Sequence, residues 1–121
     1  MSSANNRLVI LRHAPFSSNA LREGLDVALV AAAFGEAVSL LFLGQGVLAL
    51  IKEQGVGAPG QKATLPTIDM LAMYDIDQLL VPQQALEALN VKAEQLVDGV
   101  TVIADHALPE LIGRHSHVLN F

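Results

Sequence analysis

The sequence contains no cysteine. That single absence excludes disulfides, thiolate metal sites, thiolate nucleophiles and the carriage of a persulfide by this chain, because each needs a sulfhydryl sulfur at the site. Long hydrophobic runs are missing too. The longest, residues 27–34, has eight residues, well short of the ~18 uncharged apolar residues a membrane-spanning helix requires. Basic residues are few and dispersed: Arg7, Arg12, Arg22, Lys52, Lys62, Lys92 and Arg114 stand singly in a chain of net charge −5. Affinity for DNA or RNA comes mostly from clustered Lys and Arg that displace counterions, so direct nucleic-acid binding is not expected. The amino-terminal stretch MSSANNRL has no basic region followed by an apolar segment. Export is therefore not expected, and the cytoplasm is the expected compartment.

What is present is an excess of apolar residues. Hydrophobic residues make up 52% of the 121 and charged residues 16%, where soluble domains usually carry about 25% charged. The length suits one domain, residues 1–121, with a single core. A domain this small has much surface for its volume, so the surplus must lie partly outside, and a permanent partner is the expected remedy.

Leu8-Val9-Ile10-Leu11 is a continuous apolar run of the kind buried on both faces of a parallel sheet, and predicts the first strand. Residues 13–18 read as a loop held extended by Pro15, with Ser18 or Asn19 able to cap the next helix. That helix is expected over residues 20–34, with Gly35 as its stop and Glu23 and Asp26 near the positive end of its dipole. Leu21, Leu25, Ala28, Leu29 and Ala32 form one apolar stripe along it. Val27, Val30, Ala31 and Phe34 form a second, so beyond Asp26 the helix is apolar all round and needs cover on both sides.

Residues 38–43 predict a second buried strand, ended by Gly44-Gln45-Gly46 and followed by a short helix over residues 47–54. The Gly- and Pro-rich residues 55–63 read as a surface loop, and Thr67 as the cap of a third helix reaching about Tyr74. Residues 78–81 predict a third strand, with Pro82 in the first turn of a helix that ends near Leu89 at Asn90. A fourth strand lies over residues 95–97 or, with its period-two alternation, residues 100–103. A last short helix carries Leu108, Leu111 and Ile112 and closes at Gly113, before a terminal strand over residues 117–121. Strands alternating with helices across short connections imply an α/β fold: a three-layer sandwich with a mainly parallel sheet of about five strands and helices on both faces, of flavodoxin-like type.

In such sheets ligands bind beyond the carboxyl ends of the strands. The candidate crevice is then the loop with His13, Phe16 and Ser17, the first turn with Glu23, the glycine turn with Gln45, and the region of Tyr74 and Asp75. His13 beside Ser17 or Ser18 suggests a base and a nucleophile, but no acidic group to orient the histidine is evident, and solvated loop residues are the plainer reading. Gly44-Gln45-Gly46 lacks the third glycine and the downstream acid of a dinucleotide fingerprint and reads as a tight turn. His115-Ser116-His117 would need a third ligand to hold a metal. No catalytic, cofactor-binding or metal-binding residue is therefore assigned. The candidate partner interface is Val27, Val30, Ala31 and Phe34.

APFSSNALREGLDVAL at residues 14–29, LLFLGQGV at 40–47, MYDID at 73–77 and HVLNF at 117–121 together resemble the TusC- and DsrF-type subunits of the DsrE/DsrF-like sulfur-relay superfamily, over nearly the whole length. The resemblance implies a cytoplasmic subunit that assembles with homologous TusB-like and TusD-like (DsrH-like and DsrE-like) subunits into a hetero-oligomer passing persulfide sulfur. That sulfur goes to 2-thiouridine at the tRNA wobble position or belongs to sulfur oxidation. It also implies that the reactive cysteine sits on the TusD or DsrE type of subunit. Gln45 stands where the family often has an aspartate. The rival expectations are a small-molecule or nucleotide-binding flavodoxin-like domain and a structural homo-oligomer that self-associates through residues 27–34.

Overall fold

The computed structural model describes residues 6–13, 19–51, 70–71, 73–74, 76, 78–97 and 99–121. Five strands form one sheet: β1 (Asn6–Leu11), β2 (Ala37–Phe42), β3 (Gln78–Pro82), β4 (Val100–Ile103) and β5 (His117–Asn120). Their order is β4-β3-β2-β1-β5, and every pairing is parallel. The two middle strands are the continuous apolar runs. Leu8, Val9 and Leu11 of β1 and Leu40, Leu41 and Phe42 of β2 are all wholly buried, as a strand covered on both faces demands.

Helices on both faces make this a three-layer α/β sandwich. The chain steps outward from β1 to β4, and parallel crossovers are right-handed, so the helices of those three connections fall on one face. There α1 (Ala20–Ala33) and α2 (Gln83–Leu89) bury Leu21, Leu25, Ala28 and Leu86 against Val9, Leu11, Leu40, Phe42, Leu79 and Val81. The return from β4 to β5 runs the other way and puts α3 (Leu108–Gly113) on the second face, where Leu111 packs with Leu8, Ile10, Leu41 and Leu80.

Stops fall where residue chemistry puts them. Gly35 follows α1 at φ +89°, and Asn90 ends α2 at φ +58°, left-handed conformations that Gly and Asn adopt most readily. Two expectations are corrected. The segment after β2 is a 3₁₀ helix over Gly44–Leu50, not a helix beginning at Val47. Gly44 turns the chain at φ +51° directly out of the strand, so the first helical hydrogen bond, Gly46 N–H to Leu43 O at 2.9 Å, already lies within the glycine turn. Pro82 is the last residue of β3, extended at φ −72°, ψ 145°, with α2 starting after it. Asn19 sits at the amino-terminal boundary of α1 and makes no side-chain cap bond, and Ser18, the other expected cap, lies outside the described residues. Of the two places open to the fourth strand, residues 100–103 form it as their alternation indicates, while Gln95 ends a 3₁₀ turn and Leu96 makes a single bridge. Of the third helix, residues 70, 71 and 73 are helical and Tyr74 is in a turn. Thr67, the loop at 55–63 and Gln54 lie outside the described residues.

Candidate functional site

At the carboxyl end of the sheet the strand ends are bound backbone to backbone. Leu43 N–H donates to Leu11 O at 2.9 Å, Arg12 N–H to Phe121 O at 2.9 Å and Phe121 N–H to Ile10 O at 2.8 Å. The Arg12 guanidinium donates from Nε to Asn120 Oδ1 at 3.1 Å. Strand order reverses between β1 and β5, which is where a doubly wound sheet opens its ligand crevice. Here that opening holds Phe121. Its ring packs on the core formed with α1, close enough that a Cβ on Gly24 would overlap the Leu11 side chain and stand 3.0 Å from the ring.

His13 and Gln45 lie at this end, both exposed, on loops held together because Gly46 rests on the Leu11 carbonyl. Glu23, in the first turn of α1, is at the same end and exposed. Tyr74 is not. It precedes β3 by four residues and so enters a parallel sheet from its amino end, opposite to His13 and Gln45. Sequence order alone had grouped it with them. Phe16, Ser17 and Asp75 lie outside the described residues. The two carboxy-terminal histidines do not act as a pair: the His115 ring is tied through Nδ1 to Leu111 O at 2.8 Å, while His117 is exposed on β5 beside Arg7 in register.

On the outer face of α1 large apolar side chains reach solvent. Phe34 is 82% exposed and Val30 56%, and with Val27 they border a shallow depression of about 340 Å³ that also touches Arg7, Asp26 and Glu36. Ala31 is corrected: at 7% exposure it belongs to the domain's own core, three residues on from buried Ala28, and forms the floor of the depression. Each larger apolar side chain left in water forgoes about 1.5 kcal/mol or more.

The rim holds a feature no local sequence pattern signals. Arg7 Nε donates to Glu36 Oε1 at 2.7 Å across 29 residues, because the β1–β2 register sets Arg7 beside Val38. The bound Arg7 guanidinium holds the Glu36 carboxyl below its ordinary 4.5, with the positive fields of Arg7 and His117 acting in the same direction. Both side chains are about a quarter exposed, so solvent screens the pair and its contribution is small. A lowered carboxyl stabilises the fold above its unfolded value and loses that contribution as pH falls through the folded one. The stability gap between the wild-type chain and Glu36→Gln is thus expected to be small and flat near neutral pH and to close below about pH 4 in urea titrations. A gap that widened on acidification would contradict the pairing.

Among the described residues no helix is long and apolar enough to cross a membrane. The DsrE/DsrF-like family matches residues 6–121. The chain is 32% identical over 117 residues to a protein named TusC homolog from Aliivibrio fischeri, covering 96% of this chain and 99% of that one. It is 34% identical over 112 residues to the TusC homolog of Pseudomonas aeruginosa, covering 93% and 94%. In fold it is similar to the ychN protein of E. coli, with a TM-score of 0.81 at 17% identity over 97% of this chain and 99% of that one. A conserved protein of unknown function from Bacteroides thetaiotaomicron gives 0.71 at 19% identity, over 100% and 99%.

Proposed function

Because the chain belongs to the DsrE/DsrF-like family, we propose that it is the cysteine-free subunit of a heteromeric sulfur-relay complex, as the TusC name of its relatives suggests. In this reading it works in the cytoplasm and scaffolds a cysteine-bearing TusD-like (DsrE-like) subunit, with a TusB-like subunit completing the assembly. The complex passes persulfide sulfur toward 2-thiolation of the tRNA wobble uridine, or, in the alternative pathway, within sulfur oxidation. The observation that carries the reading is the pairing of two facts: no thiol anywhere in the chain, and an apolar helix face left exposed at Val30 and Phe34. No residue of the chain offers a group able to hold sulfur, since a persulfide resides on a thiolate. Any transferase activity then belongs to the complex, and this chain holds no cofactor.

Sulfur loading tests it. Incubated alone with a cysteine desulfurase and cysteine, the chain is expected to bind no sulfane sulfur above a cysteine-free control protein. Assembled with its cysteine-bearing partner, the complex is expected to carry sulfur on the partner's thiol alone. Stable protein-bound sulfane sulfur on the isolated chain would overturn the reading.

A further inference from the structure

We infer that the outer face of α1 docks a different chain, one whose contact surface is apolar and carries a lysine or arginine where it meets Glu23 and Asp26. The inference rests on the partner-dependent role proposed above and adds the partner's chemistry. Glu23, Val27, Val30 and Phe34 recur at i, i+4, i+7 and i+11, within an arc of about 60° on the helix. The apolar stripe therefore begins on a carboxylate and ends on an aromatic ring. Asp26 flanks it and borders the same depression. Both carboxylates are exposed, and neither has an ion-pair partner among the described residues, where Arg7 is taken by Glu36. Arg22, the one cation of α1, lies about 100° round from Glu23; it stands one turn before Asp26 but forms no ion pair with it among the described residues.

A second copy presents no cation on its own stripe to meet these carboxylates. With two α1 helices antiparallel and Val30 facing Val30, Phe34 of each copy lands on Asp26 of the other. With Val27 facing Val30, it lands on Glu23. Two-fold symmetry repeats both mismatches; setting Phe34 against Val27 or Val30 instead joins apolar to apolar but runs Glu23 of each copy past the end of the other's helix, where no cation of the stripe meets it. A parallel arrangement sets Glu23 on Glu23. A different chain with one cation at that end satisfies both halves of the stripe and is steered onto it by charge.

The test titrates the chain with a DsrE-type subunit of the same organism that carries the relay cysteine, at low and high salt, using the wild type and the Glu23→Lys/Asp26→Lys variant. The wild-type affinity is expected to fall as salt rises. The variant is expected to bind at least about tenfold more weakly at low salt and to lose or invert that salt dependence. If the double reversal does not fold, Glu23→Gln/Asp26→Asn is expected to give a smaller loss with a flattened salt response. Binding that ignores both the charges and the salt would overturn this inference and leave the proposed role standing. No binding by the wild type would end both. A wild-type homodimer broken by substitution on this stripe would also overturn it, in favour of self-association.

Discussion

Gly46→Ala is expected to lower the thermal midpoint of the chain by roughly 10 °C or more, from a loss of about 3 kcal/mol. A Cβ at Gly46 would overlap the Leu11 carbonyl oxygen, stand 2.8 Å from its carbon and 3.3 Å from Arg12 N. Those are backbone atoms, so no rotamer change relieves the overlap. They are also held: Leu11 O accepts from Leu43 N–H at 2.9 Å, and Arg12 N–H is committed to Phe121 O at 2.9 Å. Relief requires moving the 3₁₀ helix off the sheet, with wholly buried Val47 and Leu50 on it, or breaking the bond that joins the ends of β1 and β2. Gly113→Ala is the matched control. It sits in α3 with nothing within 4 Å of the added methyl and no positive φ, and alanine there is expected to be neutral or to stabilise by up to about 1 kcal/mol. Thermal melts of the two variants that agree within about 2 °C would show that the approach of Gly46 to Leu11 is not tight.

The same contact shows which parts of the fold were legible from sequence and which were not. β1 and β2 were readable because a strand buried on both faces has to be apolar without interruption, and Gly35 and Asn90 marked helix ends because few other residues adopt the positive φ found there. The motifs at residues 14–29, 40–47, 73–77 and 117–121 together carried the family. What local patterns cannot carry is direction and distance. Tyr74 looked like a member of the crevice until the parallel sheet put the exit of β2 and the approach to β3 at opposite ends. Ala31 looked like surface because alanine is equally apolar in either stripe, and only the angle of the helix on the sheet decides that it faces inward. The Arg7–Glu36 pair and the closing of the β1–β5 crevice by Phe121 come from register between segments 29 and about 110 residues apart. No window along the chain holds both partners.

Phe34→Lys is expected to weaken assembly with the proposed cysteine-bearing subunit by about a hundredfold or more while leaving the fold intact. An aromatic anchor at an interface centre contributes about 2 kcal/mol or more, and a charge in its place adds the cost of desolvating an unpaired ammonium. Within the chain itself the ring contributes little, since it is 82% exposed. The local backbone does not depend on it either: Phe34 N–H donates to Val30 O and Ala31 O at 3.1 Å, bonds any residue there can make. A lysine at the carboxyl end of α1 also meets the negative end of the helix dipole, so the isolated variant is expected to melt within about 2 °C of wild type. Leu25→Ala supplies the contrast, because Leu25 is 1% exposed on the inward face of the same helix. There the loss is expected to be about 2–5 kcal/mol of stability, with assembly falling only as the folded fraction falls. If Phe34→Lys instead binds as tightly as wild type, the exposed stripe is not the docking face. If it unfolds the chain, Phe34 belongs to the core and the apolar surplus is spent inside the domain.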